Sequence, residues 1–143
     1  MSHAMTHAER EAFLTDIHVG VIGVTYAERS LAVPIWYSYE PGGDVVVLTD
    51  PDSTKGRALE ETRWYSLCAQ DENPPYKYVT VEGPVTAIEP STEDMARAMA
   101  HRYLGPEFGD LYLESTAGGP ENRAYRMTPA RWFTVDYGKD FGG

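Results

Sequence analysis

The run Val45-Val46-Val47-Leu48-Thr49 passes without a linker into Asp50-Pro51-Asp52-Ser53-Thr54-Lys55-Gly56-Arg57-Ala58-Leu59. An apolar, β-branched run of this length reads as a buried strand. Pro51 and its flanking aspartates stop it. Ser53 then stands where a helix N-cap is preferred, and a short helix carrying Lys55 and Arg57 follows. A strand feeding straight into a helix leaves the connection little freedom, so two hydroxyls, a helix N-terminus and two cations meet at one place. Helix N-termini present unpaired backbone N–H groups that favour anions. Arg adds a planar fork suited to phosphate, and Lys a point charge. The junction reads as a seat for a phosphate group or, alternatively, as a capped surface helix.

Most of the remaining chain reads as strands. Thr6-His7-Ala8-Glu9 has capping-box spacing and predicts a helix over about residues 7–14. Ile17 to Thr25 predicts an apolar strand. Leu31, Val33, Ile35, Tyr37 and Tyr39 alternate with Ala32, Pro34, Trp36 and Ser38, the period of a single strand. Pro34 removes a ladder donor there, which predicts a bulge or a free edge. Pro41-Gly42-Gly43 forms a hairpin turn into the 44–49 strand. Arg63 to Gln70 predicts a strand, residues 71–75 a loop, and Tyr78 to Ala87 a long strand kinked at Gly83-Pro84. Ser91-Thr92-Glu93-Asp94 opens a second helix that Gly105-Pro106 closes, and residues 106–114 predict a further short helix. Residues 115–121 read as a mobile Gly-rich loop. Arg123 to Met127 and Arg131 to Asp136 read as the last strands. The expectation is one mainly β domain over residues 1–143, a small barrel of six or seven strands with a few helices, with disordered tails at 1–6 and 138–143.

Charge narrows the function. The net charge of −10 argues against nucleic acid or an anionic membrane as partner. Cys68 is the only cysteine, so no internal disulfide forms, and it reads as packing. No apolar run spans a bilayer and no signal-peptide core is present, so the expected location is cytoplasmic. His3 and His7 lie near one helical turn apart without an evident third ligand, so no metal site is expected. His18 and His101 read as packed or surface histidines. Ser53-Thr54-Lys55 lacks the upstream glycines of a P-loop, and no nucleophile elbow occurs.

The order Val33-Pro34-Ile35-Trp36-Tyr37, hairpin, strand to Thr49, Ser53-x-Lys55-x-Arg57, then Val79-Thr80-Val81-Glu82-Gly83 resembles the flavin-binding split β-barrel family of the pyridoxamine 5'-phosphate oxidase type. Within it, the chain is similar to the actinobacterial branch of deazaflavin (coenzyme F-420) dependent reductases. The stretch from Ser66 to Gly83 is the nearest local match, and His101 to Gly105 and Arg131 to Asp136 match more loosely. The resemblance implies a Greek-key split barrel and a homodimer with cofactor sites between subunits. It implies that Thr49, Ser53, Lys55 and Arg57 hold the cofactor phosphate. Pro34, Ile35, Trp36 and Tyr37 match the strand whose backbone runs beside the ring, and Tyr78 and Val79 the contacts from a later strand. Thr54 replaces one of two adjacent basic residues of the oxidases, Tyr78 stands where they tend to carry an amide, and Ala58 replaces an Asn common in the deazaflavin branch.

The implied function is hydride transfer from reduced F-420 to a conjugated small-molecule acceptor. The alternatives are an FMN-dependent oxidoreductase, a non-catalytic flavin- or haem-binding barrel, and a scaffold without cofactor. Trp36, Tyr76 and Trp132 would line the acceptor pocket, or serve as core and interface aromatics. Lys77 or Arg63 would meet the acidic F-420 tail. No general acid stands out, which leaves the catalytic residues unassigned and solvent as the proton source.

Overall fold

The computed structural model describes residues 3–141. Helix α1 (His7–Thr15) starts at a capping box. Thr6 Oγ1 accepts from the Glu9 amide at 3.1 Å, and Glu9 Oε1 accepts from the Thr6 amide at 2.8 Å. The strands are β1 (Gly20–Tyr26), β2 (Arg29–Ile35), β3 (Tyr37–Tyr39), β4 (Val45–Thr49), β5 (Trp64–Asp71), β6 (Lys77–Pro90), β7 (Arg123–Met127) and β8 (Arg131–Asp136). Helix α2 (Thr54–Thr62) follows β4, and helix α3 (Glu93–Thr116) links β6 to β7.

All pairings are antiparallel, in the order β2-β1-β5-β6-β7-β4-β3, with β8 also on β6. β6 makes the curl possible. Up to Pro84 it lies between β5 and β8, and from Val85 it pairs with β7 across a register shift. The irregularity lies between Val85 and Ala87, just beyond the Gly83-Pro84 step where a kink was expected. One continuous strand thereby serves both halves of a split β-barrel. Ile22, Tyr37, Val47, Leu67, Val81 and Met127 fill the interior and are fully buried.

Three expectations change. There are eight strands, not six or seven, because the alternating 31–39 run breaks at Trp36. There the Tyr37 amide donates to the Tyr103 hydroxyl at 3.0 Å, and β2 and β3 join different parts of the sheet. Pro34 sits in β2 at the free end of the strand order, where a missing donor costs nothing. The first strand begins at Gly20 rather than Ile17, because the Tyr103 hydroxyl takes the His18 carbonyl at 2.7 Å. The helix from Glu93 breaks at Gly105 as expected: at φ 80° and ψ 170° that residue is not helical, and a second helical stretch follows it through Thr116. Residues 3–6 and 138–141, expected to be disordered, pack on each other. The Asp136 amide donates to the His3 carbonyl at 2.8 Å, the Met5 amide donates to Thr134 Oγ1 at 2.9 Å, and Lys139 Nζ reaches Glu9 at 2.8 Å. The rest of those predicted tails, residues 1, 2, 142 and 143, lies outside the described residues.

Candidate functional site

The turn after β4 is built by its own side chains. Ser53 Oγ donates to the Asp50 carbonyl at 2.6 Å and accepts from the Gly56 amide at 3.0 Å. Asp50 Oδ1 accepts from the Asp52 amide at 2.9 Å. A Cβ at Gly56 would lie 2.1 Å from the Asp50 carbonyl oxygen, so only glycine lets the helix start fold this tightly on the turn. Gly56 and Arg57 are the capped amides; those of Thr54 and Lys55 have no protein partner among the described residues. Nor does the Lys55 ammonium or the Arg57 guanidinium form an ion pair there. Two open amides and two unpaired cations thus lie within the first four residues of a nine-residue helix. These are the donors a phosphate requires.

Arg123 is the nearest cation from another element, since it pairs with Thr49 in the β4–β7 ladder. It is already committed. Its guanidinium lies 2.5 Å from Glu60 Oε1, and that bond and charge raise its pKa further above the ordinary arginine value. Glu60 also accepts from the Tyr125 hydroxyl at 3.1 Å. Arg123 thus braces α2 against β7, and the seat relies on Lys55 and Arg57.

Beside the seat opens a groove of about 1310 Å³. Its floor is Pro34, Ile35 and Trp36 where β2 passes into β3, with Thr49 and Asp50 at the end of β4. Its far wall is α3 and the loop from Ala117 to Asn122. Asp50 belongs to both features: it borders the groove and begins the phosphate turn. Four of the residues predicted to bind cofactor, Pro34, Ile35, Trp36 and Thr49, therefore meet in one cavity, and Ser53, Lys55 and Arg57 adjoin it through Asp50.

The other predicted residues lie elsewhere. The Tyr37 and Val79 side chains are fully buried in the barrel. The Tyr37 hydroxyl donates to the Leu14 carbonyl at 2.7 Å, and burial, with Tyr103 adding to it, pushes this phenol well above its usual range. The Tyr37 backbone is closed by Tyr103 on both its amide and its carbonyl. Tyr78 is half-buried in β6 between Gln70 and Val135, on the opposite side of the sheet from the buried Val79. Of the aromatics expected in the pocket only Trp36 borders it. Trp132 packs under the barrel, edge-on to Tyr39 and beneath the Arg10 guanidinium at 4.4 Å. Tyr76 is exposed and its carbonyl accepts from the Tyr137 amide. Lys77 and Arg63, assigned to an acidic tail, do not line the groove. His18 stacks on Phe13, and His101 meets Asp110 at 2.7 Å.

Two aromatic residues escaped the sequence reading. Tyr103 stacks on Trp36 with ring centres 5.0 Å apart and planes 5° from parallel. Tyr112, from the second half of α3, leans on the same indole at 5.3 Å. Neither carries a local signal: Tyr103 meets Trp36 across a long stretch of chain, and Tyr112 reaches it only through the bend at Gly105.

Comparison with known proteins agrees with this geometry. A solved structure of a conserved hypothetical protein from Mycobacterium tuberculosis is similar over 100% of this chain and 92% of its own, with a TM-score of 0.76 at 18% identity. An F-420 reductase is similar over 86% of this chain and 94% of its own, with a TM-score of 0.63 at 16% identity. A FAD-binding protein from Mesorhizobium loti covers 92% of this chain and 93% of its own, with a TM-score of 0.62 at 15% identity. At these identities the likeness concerns the fold. No curated protein matches the sequence. The sequence profile described as pyridoxamine 5'-phosphate oxidase matches residues 6–136, and the chain belongs to that family.

Proposed function

We propose that the protein is an oxidoreductase using a phosphate-bearing isoalloxazine-type cofactor, coenzyme F-420 in the first place and FMN as the alternative, to reduce a conjugated small molecule. The observation that carries the reading is the continuity of seat and groove through Asp50. A phosphate fits the open amides of Thr54 and Lys55 and the unpaired charges of Lys55 and Arg57. A flat ring fits the floor formed by Pro34 and Ile35, with Trp36 as its end stop. The family and the similar F-420 reductase and FAD-binding structures support a flavin or deazaflavin rather than another phosphate ester.

The bound, reduced cofactor supplies a hydride, and water supplies the proton that completes the reduction. The protein positions and shields. Ser53 holds the turn, Lys55 and Arg57 neutralise the phosphate, and Trp36 is fixed in orientation by Tyr103 and Tyr112. α3 and the loop behind it wall the groove and would limit water entry to a bound ring. We further propose a cytoplasmic homodimer with the site at the subunit interface, without nucleic acid or membrane partners. The outward row Pro34, Val21, Cys68, Thr80 and Phe133 crosses five strands and leaves Val21 and Phe133 exposed, which suits a second barrel.

Titration of the purified protein with F-420 and with FMN tests the reading. Tryptophan fluorescence falls as cofactor binds, and Lys55→Ala weakens binding by about 1.5–3 kcal/mol, the size of a charge-assisted hydrogen bond. Unchanged affinity in a folded Lys55→Ala protein removes the phosphate seat, and no binding of either cofactor removes the function.

A further inference from the structure

The groove is electrically one-sided. Three charged residues line it, Asp50, Glu93 and Glu121, and all three are acidic. Among the described residues no Lys, Arg or His lines it. The nearby cations are spent or displaced. Arg123 is paired with Glu60 and Arg97 with Asp94, while Lys55 and Arg57 serve the turn beyond Asp50. The rest of the wall is apolar or neutral and includes the aromatic and thioether side chains of Trp36, Tyr112 and Met99. Carboxylates around an aromatic surface favour a cation twice over. The charges attract it through space, and the ring faces attract it through their quadrupoles. An anion meets the same three carboxylates, and the net charge of −10 adds to the repulsion.

We propose that the part of this groove outside the cofactor floor of Pro34 and Ile35 is the acceptor pocket of the oxidoreductase and that the groove admits flat conjugated molecules that are uncharged or cationic while excluding anionic ones. The word acceptor rests on the cofactor reading above; the charge selection rests on the groove alone. The phosphate seat and the acceptor groove are thus set to opposite signs, divided at Asp50. A single molecule with an anionic end and a neutral ring fits only one way round. An oligoglutamate tail must leave by another route.

Three probes of one shape test this: N-methylquinolinium, quinoline and quinoline-2-carboxylate, titrated into the full chain at pH 7 and low salt. Amide shifts of Gly118 and Gly119 on the groove wall report occupancy. The cation binds at least about tenfold more tightly than the carboxylate, and the gap narrows in high salt, where exposed charges are screened. In Asp50→Asn/Glu93→Gln/Glu121→Gln it falls below about threefold. Glu121→Gln alone, in the exposed loop, removes part of it and covers the case in which the triple variant fails to fold. Equal or tighter binding of the carboxylate overturns the proposal. So does a gap that survives neutralisation, or the absence of saturable binding by all three. Lys55→Ala separates this result from the cofactor reading: its affinity for FMN and F-420 falls while its probe selectivity stays as in the parent.

Discussion

At the residue scale the phosphate turn depends on an atom that is missing. Gly56 faces the Asp50 carbonyl and the Pro51 Cα at 2.1 and 2.7 Å from where a Cβ would stand, and both are backbone atoms that cannot swing aside. Gly56→Ala must therefore push the start of α2 off the turn. Its stability falls by about 1–3 kcal/mol, the usual cost of overpacking, seen as a lower thermal midpoint. Cofactor affinity falls further than Lys55→Ala alone lowers it, because the open amides of Thr54 and Lys55 move along with the charges. An alanine variant with parental melting and parental affinity would show that the turn is loose. Arg123 and Glu60 show the converse, a strong pair whose task is to hold α2 in place and whose charge is unavailable to a ligand.

At the scale of elements, the clearest coupling joins the two ends of the chain. Lys139 reaches from the 3-10 turn at Tyr137–Phe141 to Glu9 in α1, and this bond, with the Thr6 amide, holds the Glu9 carboxyl near 2 instead of the usual 4.5. A carboxyl lowered on folding stabilises the fold at pH above its unfolded value, and the contribution fades as pH falls through the folded one. Thermal melts therefore show Glu9→Gln less stable than the parent near pH 6, with the difference shrinking between about 4.5 and 2. A constant difference across that range would mean that the side chain contributes packing alone. These end contacts were not legible in the sequence, because they join residues more than a hundred positions apart. The strand, turn and helix from Val45 to Leu59 were legible because every signal is local: a β-branched run, a proline stop and an N-cap serine. The 31–39 run was half legible. Its alternation is genuine, but the break at Trp36 is made by Tyr103, a partner 66 residues further on. Pro34, Ile35, Trp36 and Thr49 line one groove, and that they bind cofactor belongs to the proposal. The wall opposite them did not emerge: Gly105-Pro106 announces the break in α3, but nothing local says that the stretch beyond it returns to set Tyr112 against Trp36.

For the whole molecule, the proposed assembly rests on the outward face of the β2-β1-β5-β6-β8 layer. Val21 and Phe133 are exposed on it, with Pro34, Cys68 and Thr80 between and beside them. Light scattering should give twice the 15.9 kDa chain mass, and Val21→Glu/Phe133→Glu should return it to a single chain. A single-chain mass for the parent protein would sink the shared-site picture while leaving the seat and the groove intact. The bend at Gly105 reaches beyond this chain. The barrel supplies the floor of the groove, while much of the opposite wall comes from α3 and the loop behind it. Insertions or deletions after Gly105 can deepen, shorten or open the cavity without disturbing a single rung of the sheet. Substrate range and fold stability can therefore drift independently in evolution, and new specificities are expected to appear first as changes in the length of that segment.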